Sequence, residues 1–518
     1  MNPGVIYFFS AIILYFSKDR LRQVISVLTS IFALIIIYKL SPDQQIALPF
    51  LDFNLVLLKV DHIGKLIALI FSFFALCSTI YALKLADKKY YLLANIYIGS
   101  SIAILFVGDL FSFYVLWEMM TISSYFLIFT NKKPITKQTS YYYFMMHMVG
   151  AISLLWGILL QYNGTGSILL ANVEYGIPFF LLAVGIKLAF IGLHTWLPQN
   201  YANVPFYISV LLSAYTTKVG VYALYRLLGG INLGYAGIIT AIVGVFLALR
   251  QTQVRKLLSY HIISQIGYMI TAIGAGNSLG LAGGVLHLIN NVLYKGLLFM
   301  VIGVVIYTTE KEDLIDLGGL FKRLPIITFY ALVAALSIAG VPFFSGHVSK
   351  LLIKKGIDDP ILRWGLYIAG IGTALSFLKV IYFAFFKGRE EEVEIKRRPP
   401  KSMLLSMGMI TALIILIGVK PSIIKIFFNF EYEVKFYSLH YIWKSLQPII
   451  LALVIFKLAH DLIEPHSHQE NNFDIYPYFG KVINYLSMKL SELHNGDLSR
   501  YMLWLISTLI FLLVKFLI

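Results

Sequence analysis

One cysteine, Cys77, stands in 518 residues. That excludes an internal disulfide framework, a CxxC redox pair and a Cys-ligated cluster. Charge is scarce too: Asp, Glu, Lys and Arg make up 13% of the chain. A soluble chain of this length would divide into domains with polar surfaces and linkers. Too little polar sequence is present for that, and the same shortage excludes disordered, collagen-like and coiled-coil chains. No nucleotide-binding motif or paired-His haem site stands out. What is plentiful is apolar: 59% of residues are hydrophobic, and the mean hydropathy is +0.79. The composition predicts an all-α integral membrane protein.

A helix needs roughly 20 apolar residues to cross the hydrocarbon core, and that ruler predicts about sixteen spans. They lie near 3–16, 22–40, 63–85, 90–107, 109–130, 139–161, 176–195, 204–228, 232–250, 256–276, 280–307, 325–355, 363–386, 403–419, 440–460 and 498–518. The first lacks a basic lead and a small-x-small site, so it reads as a retained helix rather than a signal. Residues 41–62 hold Asp43, Asp52 and Asp61 among apolar neighbours and are expected to form an ordered external cap. In 473–497, Val482, Ile483, Leu486, Leu490 and Leu493 recur at helical spacing, which predicts a cytoplasmic amphipathic helix.

Acidic residues number 26 against 42 Lys and Arg, a net charge of +16. In a soluble protein that excess would suggest nucleic acid; here its placement gives it another meaning. Basic clusters such as Lys84/Lys88/Lys89, Lys132/Lys133/Lys137, Arg250/Arg255/Lys256 and Lys396/Arg397/Arg398/Lys401 fall in alternate connections. Most connections on the other side are nearly free of Lys and Arg, with exceptions at Lys354/Lys355 and Lys420/Lys425. The positive-inside rule then puts the basic loops in the cytoplasm and both termini outside the cell membrane. No nucleic-acid partner is expected.

A charge at the bilayer centre costs several kcal/mol, from about 2.5 to above 10. Glu118, Lys187, Lys218, Lys295 and Lys350 all fall inside predicted spans. Lys187 and Lys218 stand near the middle of theirs, too deep to snorkel, and such groups mark ion pathways. Lys187 precedes His194, Pro198 and Pro205; Lys350 follows Pro342 in AGVPFFSGHVSK. Proline removes a backbone donor, so these helices are expected to break and free carbonyls to line a hydrated cavity. A broken helix with a lysine in each half suggests two inverted repeats, over spans 4–8 and 9–13. Spacing puts Lys187 and His194 on one helix face, two turns apart, and aligns His287, Asn291 and Lys295 as a polar stripe. His347 and Lys350 are i, i+3 neighbours, and Tyr114, Glu118 and Thr121 line one face of their span. His147 and His261 read as ordinary interhelical hydrogen-bond partners.

These motifs resemble one family: the proton-conducting, antiporter-like subunits of respiratory complex I, Mrp-type Na+/H+ antiporters and membrane-bound hydrogenases. LWEMMTISSYFLI around Glu118, KLAFIGLHTWLP from Lys187 and LLSAYTTKVGVYALYR around Lys218 carry the resemblance. RKLLSYHIISQIGYM, HLINNVLYKGLLF and LSIAGVPFFSGHVSK continue it, in order, over roughly residues 50–390. The C-terminal LHNGDLSRYMLWL is most similar to hydrogenase-type subunits. The chain departs from the family pattern at Gln199, Tyr201, Gln253, Asn291 and His347.

The resemblance implies a proton relay of Glu118, Lys187, Lys218, Lys295 and Lys350. It adds His194, His287, Asn291, His347 and Tyr222 as auxiliary groups, and places helix breaks at Pro198, Pro205 and Pro342. It implies 14–16 transmembrane helices with two inverted five-helix repeats, at 90–230 and 231–390. Residues 1–89 form N-terminal helices and cap, and 391–518 the C-terminal helices. Burial disfavours the ammonium form of a lysine and a carboxylate restores it, so movement of Glu118 relative to Lys187 would control proton release. His347 would serve either as the outlet beside Lys350 or as the partner of a freed carbonyl. The implied partners are further antiporter-like membrane subunits and a peripheral redox module carrying Fe-S clusters; the ions are protons, with Na+ open. No metal or cofactor is expected on this chain, which would move ions for a redox-driven translocase without a redox centre of its own. An antiporter without a redox partner, and a structural paralogue with a dead relay, are the alternatives.

Overall fold

The computed structural model describes residues 1–130, 134–275, 277–389, 392–422 and 435–465, with scattered residues from 485 to 507. The amphipathic stretch 473–497 lies largely outside them, as do Lys132, Lys133 and most of the last span. The chain divides into two units, Met1–Asn471 and Asn472–Ile518. Of the second, the described residues are helical and Lys489 bonds Glu492.

The first unit is built from helices joined by short connections. Helices α1 (Val5–Phe16) and α2 (Asp19–Lys39) lead into a hairpin of β1 (Gln45–Phe50) and β2 (Phe53–Lys59), then α3 (His62–Ala82). Five crossings follow: α4 (Lys88–Ala103), extended by a 3₁₀ turn; α5 (Leu110–Phe129); α6 (Pro134–Thr165); a broken pair α7 (Ile177–Leu188) and α8 (Trp196–Tyr201); and a second pair α9 (Phe206–Leu212) and α10 (Thr216–Leu228). Five more are α11 (Gly234–Leu249), α12 (Val254–Gly274), α13 (Ser278–Thr309), the pair α15 (Pro325–Ala339) and α16 (Ser345–Gly356) preceded by the short α14 (Leu320–Arg323), and α17 (Pro360–Ile381) with a π-helical extension. Helices α18 (Lys401–Val419), α19 (Leu439–Leu458) and α20 (His460–Ile463) complete the unit.

Local chemistry starts these helices where they start. Asp61, Asp87, Asp109, Asn277 and Asp359 each accept a first-turn amide, supplying the partner a helix N-terminus lacks. Nine of the described helices are long and apolar enough to cross a membrane. Large apolar side chains lie open on their outer faces, for example Phe32, Ile152, Trp156 and Trp364. Such a belt is stable against lipid and not against water. Central α13 is buried along nearly its whole length.

The two five-crossing stretches share a hydrogen-bond register. In the first, Leu110 N donates to Ile168 O and Leu170 N to Gly108 O; in the second, Val254 N donates to Glu312 O and Leu314 N to Thr252 O, with the same spacing. Helices α6 and α13 are both 32 residues long. An odd number of crossings in each places the second five-crossing stretch upside down relative to the first.

The stretch 41–62 is a hairpin rather than a helix. Val56 and Leu58 of β2 are buried while β1 is exposed. Asp109 holds it down: one carboxylate oxygen caps α5 at Ser112 N and the other takes Val56 N at 2.8 Å. Lys65, at the start of α3, reaches the Leu40 carbonyl at 2.6 Å.

Candidate functional site

Helix α7 ends in the left-handed conformation at Ala189 (φ 56°), whose amide returns to Gly185 O and Ile186 O. Helix α15 ends the same way at Gly340 (φ 87°), with its amide on Leu336 O and Ser337 O. Glycine takes this conformation without strain; alanine pays about 1 kcal/mol for it. The break after α7 therefore begins at Ala189, nine residues before Pro198. That proline stands in the first turn of α8, where no backbone donor is needed. Pro205 precedes the first turn of α9, and Pro342 lies in the α15–α16 break.

This corrects two readings of the first lysine. Lys187 stands in the last turn of α7 rather than mid-helix, and His194 lies in the irregular linker, so no helix face joins them. His194 Nδ1 accepts the Gly192 amide at 3.2 Å, a bond internal to that linker. Lys187 turns the other way, to α5. Its Nζ donates to Thr121 Oγ1 at 2.8 Å and lies 4.4 Å from the Trp117 ring centre. Glu118, half-buried on the same helix, senses the Lys187 charge. Its Oε1 has no hydrogen-bond partner among the described residues. Trp196 Nε1 takes the Ile186 carbonyl released at the break, at 3.0 Å.

The crossing predicted as one helix over 204–228 is interrupted at Ser213–Tyr215. Neither proline nor glycine marks the place; hydroxyl groups satisfy the loosened backbone instead. Tyr201 Oη donates to Leu212 O at 3.0 Å, and Thr216 N donates to Tyr97 Oη at 3.1 Å. Lys218 Nζ takes the Ser213 carbonyl at 2.7 Å. Tyr222, one turn on, donates instead to the Leu105 carbonyl at 3.0 Å, beside the Asp61–Arg226 ion pair (2.6 Å) at that end of the helix. Among the described residues it makes no hydrogen bond to a lysine.

Lys295 lies within reach of the Lys218 charge, across the join between the two repeats. Lys295 Nζ donates to the Leu258 carbonyl of α12 at 3.1 Å. His287 and Asn291 share its helix, but their hydrogen bonds run elsewhere. His287 contacts Ser349 Oγ at 2.9 Å, Gln265 Oε1 at 3.1 Å and Tyr294 Oη at 3.2 Å, and Asn291 Nδ2 donates to that same hydroxyl. Lys350 Nζ lies on the Ile338 and Ala339 carbonyls freed at the second break, at 2.6 and 3.4 Å.

Two groups escaped the sequence reading. His261 was expected to be a satisfied interhelical partner, yet neither ring nitrogen has a partner among the described residues. It is fully buried and close enough to both Lys295 and Lys350 to feel their charges. Lys379 of α17 is also buried, donating to Leu249 O and Gln251 O at the end of α11. It falls near the end of the span predicted over 363–386 and was not singled out there.

His347 stands in the first turn of α16. It is fully buried, its Nε2 is 3.1 Å from the Phe436 carbonyl, and it stacks on Tyr437. His347→Phe is therefore expected to leave the pH profile of ion translocation superimposable on wild type. The aromatic stack survives and only one hydrogen bond, worth about 1 kcal/mol, is lost. A shifted profile in proteoliposomes would restore His347 to the pathway.

Buried amines set at helix breaks inside an apolar helical bundle define a class: antiporter-like ion-translocating membrane subunits. The family described as NADH:quinone oxidoreductase/Mrp antiporter, TM, matches residues 107–376, just over half the chain. A Na(+)/H(+) antiporter subunit of Alkalihalophilus pseudofirmus is 29% identical over 338 residues, covering 60% of this chain and 68% of that one. Hydrogenase-4 component B of Escherichia coli is 26% identical over 434 residues, covering 73% and 64%. A chain of the membrane-bound sulfane sulfur reductase, an archaeal respiratory membrane complex, superimposes with a TM-score of 0.80 at 25% identity, covering 99% of both chains. The chain belongs to the NADH:quinone oxidoreductase/Mrp antiporter family and is a multi-pass, antiporter-like membrane subunit.

Proposed function

We propose that the chain is the proton-translocating subunit of a multi-subunit respiratory complex in the cell membrane, driven by a redox module on other chains. Protons pass along Glu118, Lys187, Lys218, Lys295 and Lys350, with His261 between the last two. The observation that carries this reading is that each amine is held by a neutral acceptor: a hydroxyl at Lys187 and backbone carbonyls at the other three. A carbonyl accepts an N–H from an ammonium or from a neutral amine alike, so each lysine can lose a proton without losing its partner. A tight carboxylate pair would instead fix the charge. Thr121 both donates and accepts, which suits it to stand where Glu118 and Lys187 meet. His261, with neither ring nitrogen partnered among the described residues, can take a proton on one and release it from the other.

The amphipathic C-terminal stretch would serve assembly, and basic loops would face the cytoplasm. The likeness to a sulfane sulfur reductase chain over nearly the whole of both chains favours the redox-driven setting over an autonomous antiporter. The test is purification in mild detergent with all associated chains, then reconstitution. Proton uptake should follow oxidation of the complex's electron donor. It should fall at least about tenfold in Lys295→Ala while subunit content is unchanged. A chain that purifies without redox subunits and exchanges Na+ for H+ on an imposed gradient would reject the redox-driven reading.

A further inference from the structure

We propose that a basic cavity between α16, α17 and α19 binds the phosphate headgroup of an anionic phospholipid. The cavity measures ≈ 580 Å³, and Lys354, Lys355, Arg363, Lys444 and His440 converge on it. Among the described residues, no ion pair joins any of the five to a carboxylate. Asp359, one residue before the Pro360 wall, accepts from the Ile361 and Leu362 amides and from Tyr235 Oη. The Asp359 carboxylate acts on Arg363 alone of the five, so positive charge stays in excess; like charges so gathered repel one another, and a doubly or singly charged phosphate with several acceptor oxygens removes that penalty.

Aromatic faces hold the cations in place. Lys355 Nζ lies 4.2 Å from the centre of the Tyr441 ring and Lys354 Nζ 5.8 Å from that of Tyr367. Tyrosine, tryptophan and lysine together are the signature of the membrane–water interface, and basic pockets between membrane helices there suit lipid headgroups. The surface beside the cavity is apolar and open: Ile361, Trp364 and Ile368 on α17 and Trp443 on α19 are each more than half exposed. Acyl chains would lie along that surface, which a free phosphate ion could not use. This favours the lipid.

The location gives the site a consequence. A narrow second cavity shares Leu351, Lys354 and Ser445 with the first and extends to Lys350 and Gly340. A bound phosphate would stand about one helical turn from Lys350. Binding itself does not depend on the relay reading and is measured separately from it.

The experiment places the assembled complex in nanodiscs of phosphatidylcholine and adds small fractions of brominated phosphatidylglycerol or brominated phosphatidylcholine. The readout is quenching of the Trp364 signal, defined as the difference from Trp364→Phe. The anionic probe should quench at about tenfold lower mole fraction than the neutral one. That preference should vanish in the combined variant Lys355→Gln, Arg363→Gln, Lys444→Gln, and shrink in the single exposed variant Lys444→Gln, which guards against a folding defect. Equal quenching by the two probes, or a preference that survives in both variants, overturns the proposal. So does inorganic phosphate that erases the preference at concentrations comparable with the lipid, because the ligand is then the free ion.

Discussion

Lys187→Ala should reduce ion translocation at least about tenfold, equivalent to about 1.4 kcal/mol on the barrier, while the complex keeps its full set of subunits. The amine is 1% exposed, and its hydrogen bond to Thr121 joins α7 to the helix that carries Glu118. Removing it deletes the amine whose charge acts on Glu118 and leaves no donor or acceptor in its place. The side chain also packs on Trp117, so part of any loss could come from a cavity. Lys187→Met keeps the volume and removes the charge, separating the two effects. The measurement is proton flux in proteoliposomes alongside the stoichiometry of the assembled chains. Normal flux in Lys187→Met, in a complete complex, would remove Lys187 from the relay.

Gly346→Ala should act through structure instead, and severely. A Cβ on Gly346 would meet the Ser337 carbonyl oxygen at 1.9 Å, and that atom is backbone that cannot swing aside. The contact lies where α15 and α16 pass each other at the second break, beside the Ser337–Ser345 hydroxyl pair. Separating the two helices is expected to destabilise the fold by about 3 kcal/mol or more, and it would pull the Ile338 and Ala339 carbonyls away from Lys350. Little assembled complex should be recovered, and what remains should melt at lower temperature. Wild-type yield and thermal stability would show that the break can open without penalty. Gly230→Ala, where an added Cβ meets nothing within 4 Å, is the control.

The buried lysines were legible in sequence because a charge inside an apolar run has few structural explanations in a membrane. Lys295 also lay on an uninterrupted helix, so periodicity placed it correctly relative to His287 and Asn291. Lys187 and His194 shared a face only on the assumption that their helix continued. Ala189 in the left-handed region, with no proline or glycine at that position, gave no warning. The Ser213–Tyr215 interruption was silent for a similar reason: its loosened backbone groups are met by Tyr97, Tyr201 and Lys218, the first two distant in sequence or on another helix. His261 was misjudged because a lone histidine in a bundle usually finds a partner.

Composition, span length and the order of polar residues along the chain therefore determined the membrane class, most helix positions and the identity of the buried amines. These properties follow from the cost of putting a residue into lipid, which depends on the residue and its immediate neighbours. Tertiary structure decided which neutral acceptor each amine meets, that His347 is packed away while His261 is left unpaired among the described residues, and that four basic side chains and His440 converge with no ion-paired carboxylate among them. These depend on where separate helices stop and cross, and no local stretch of sequence encodes that distance.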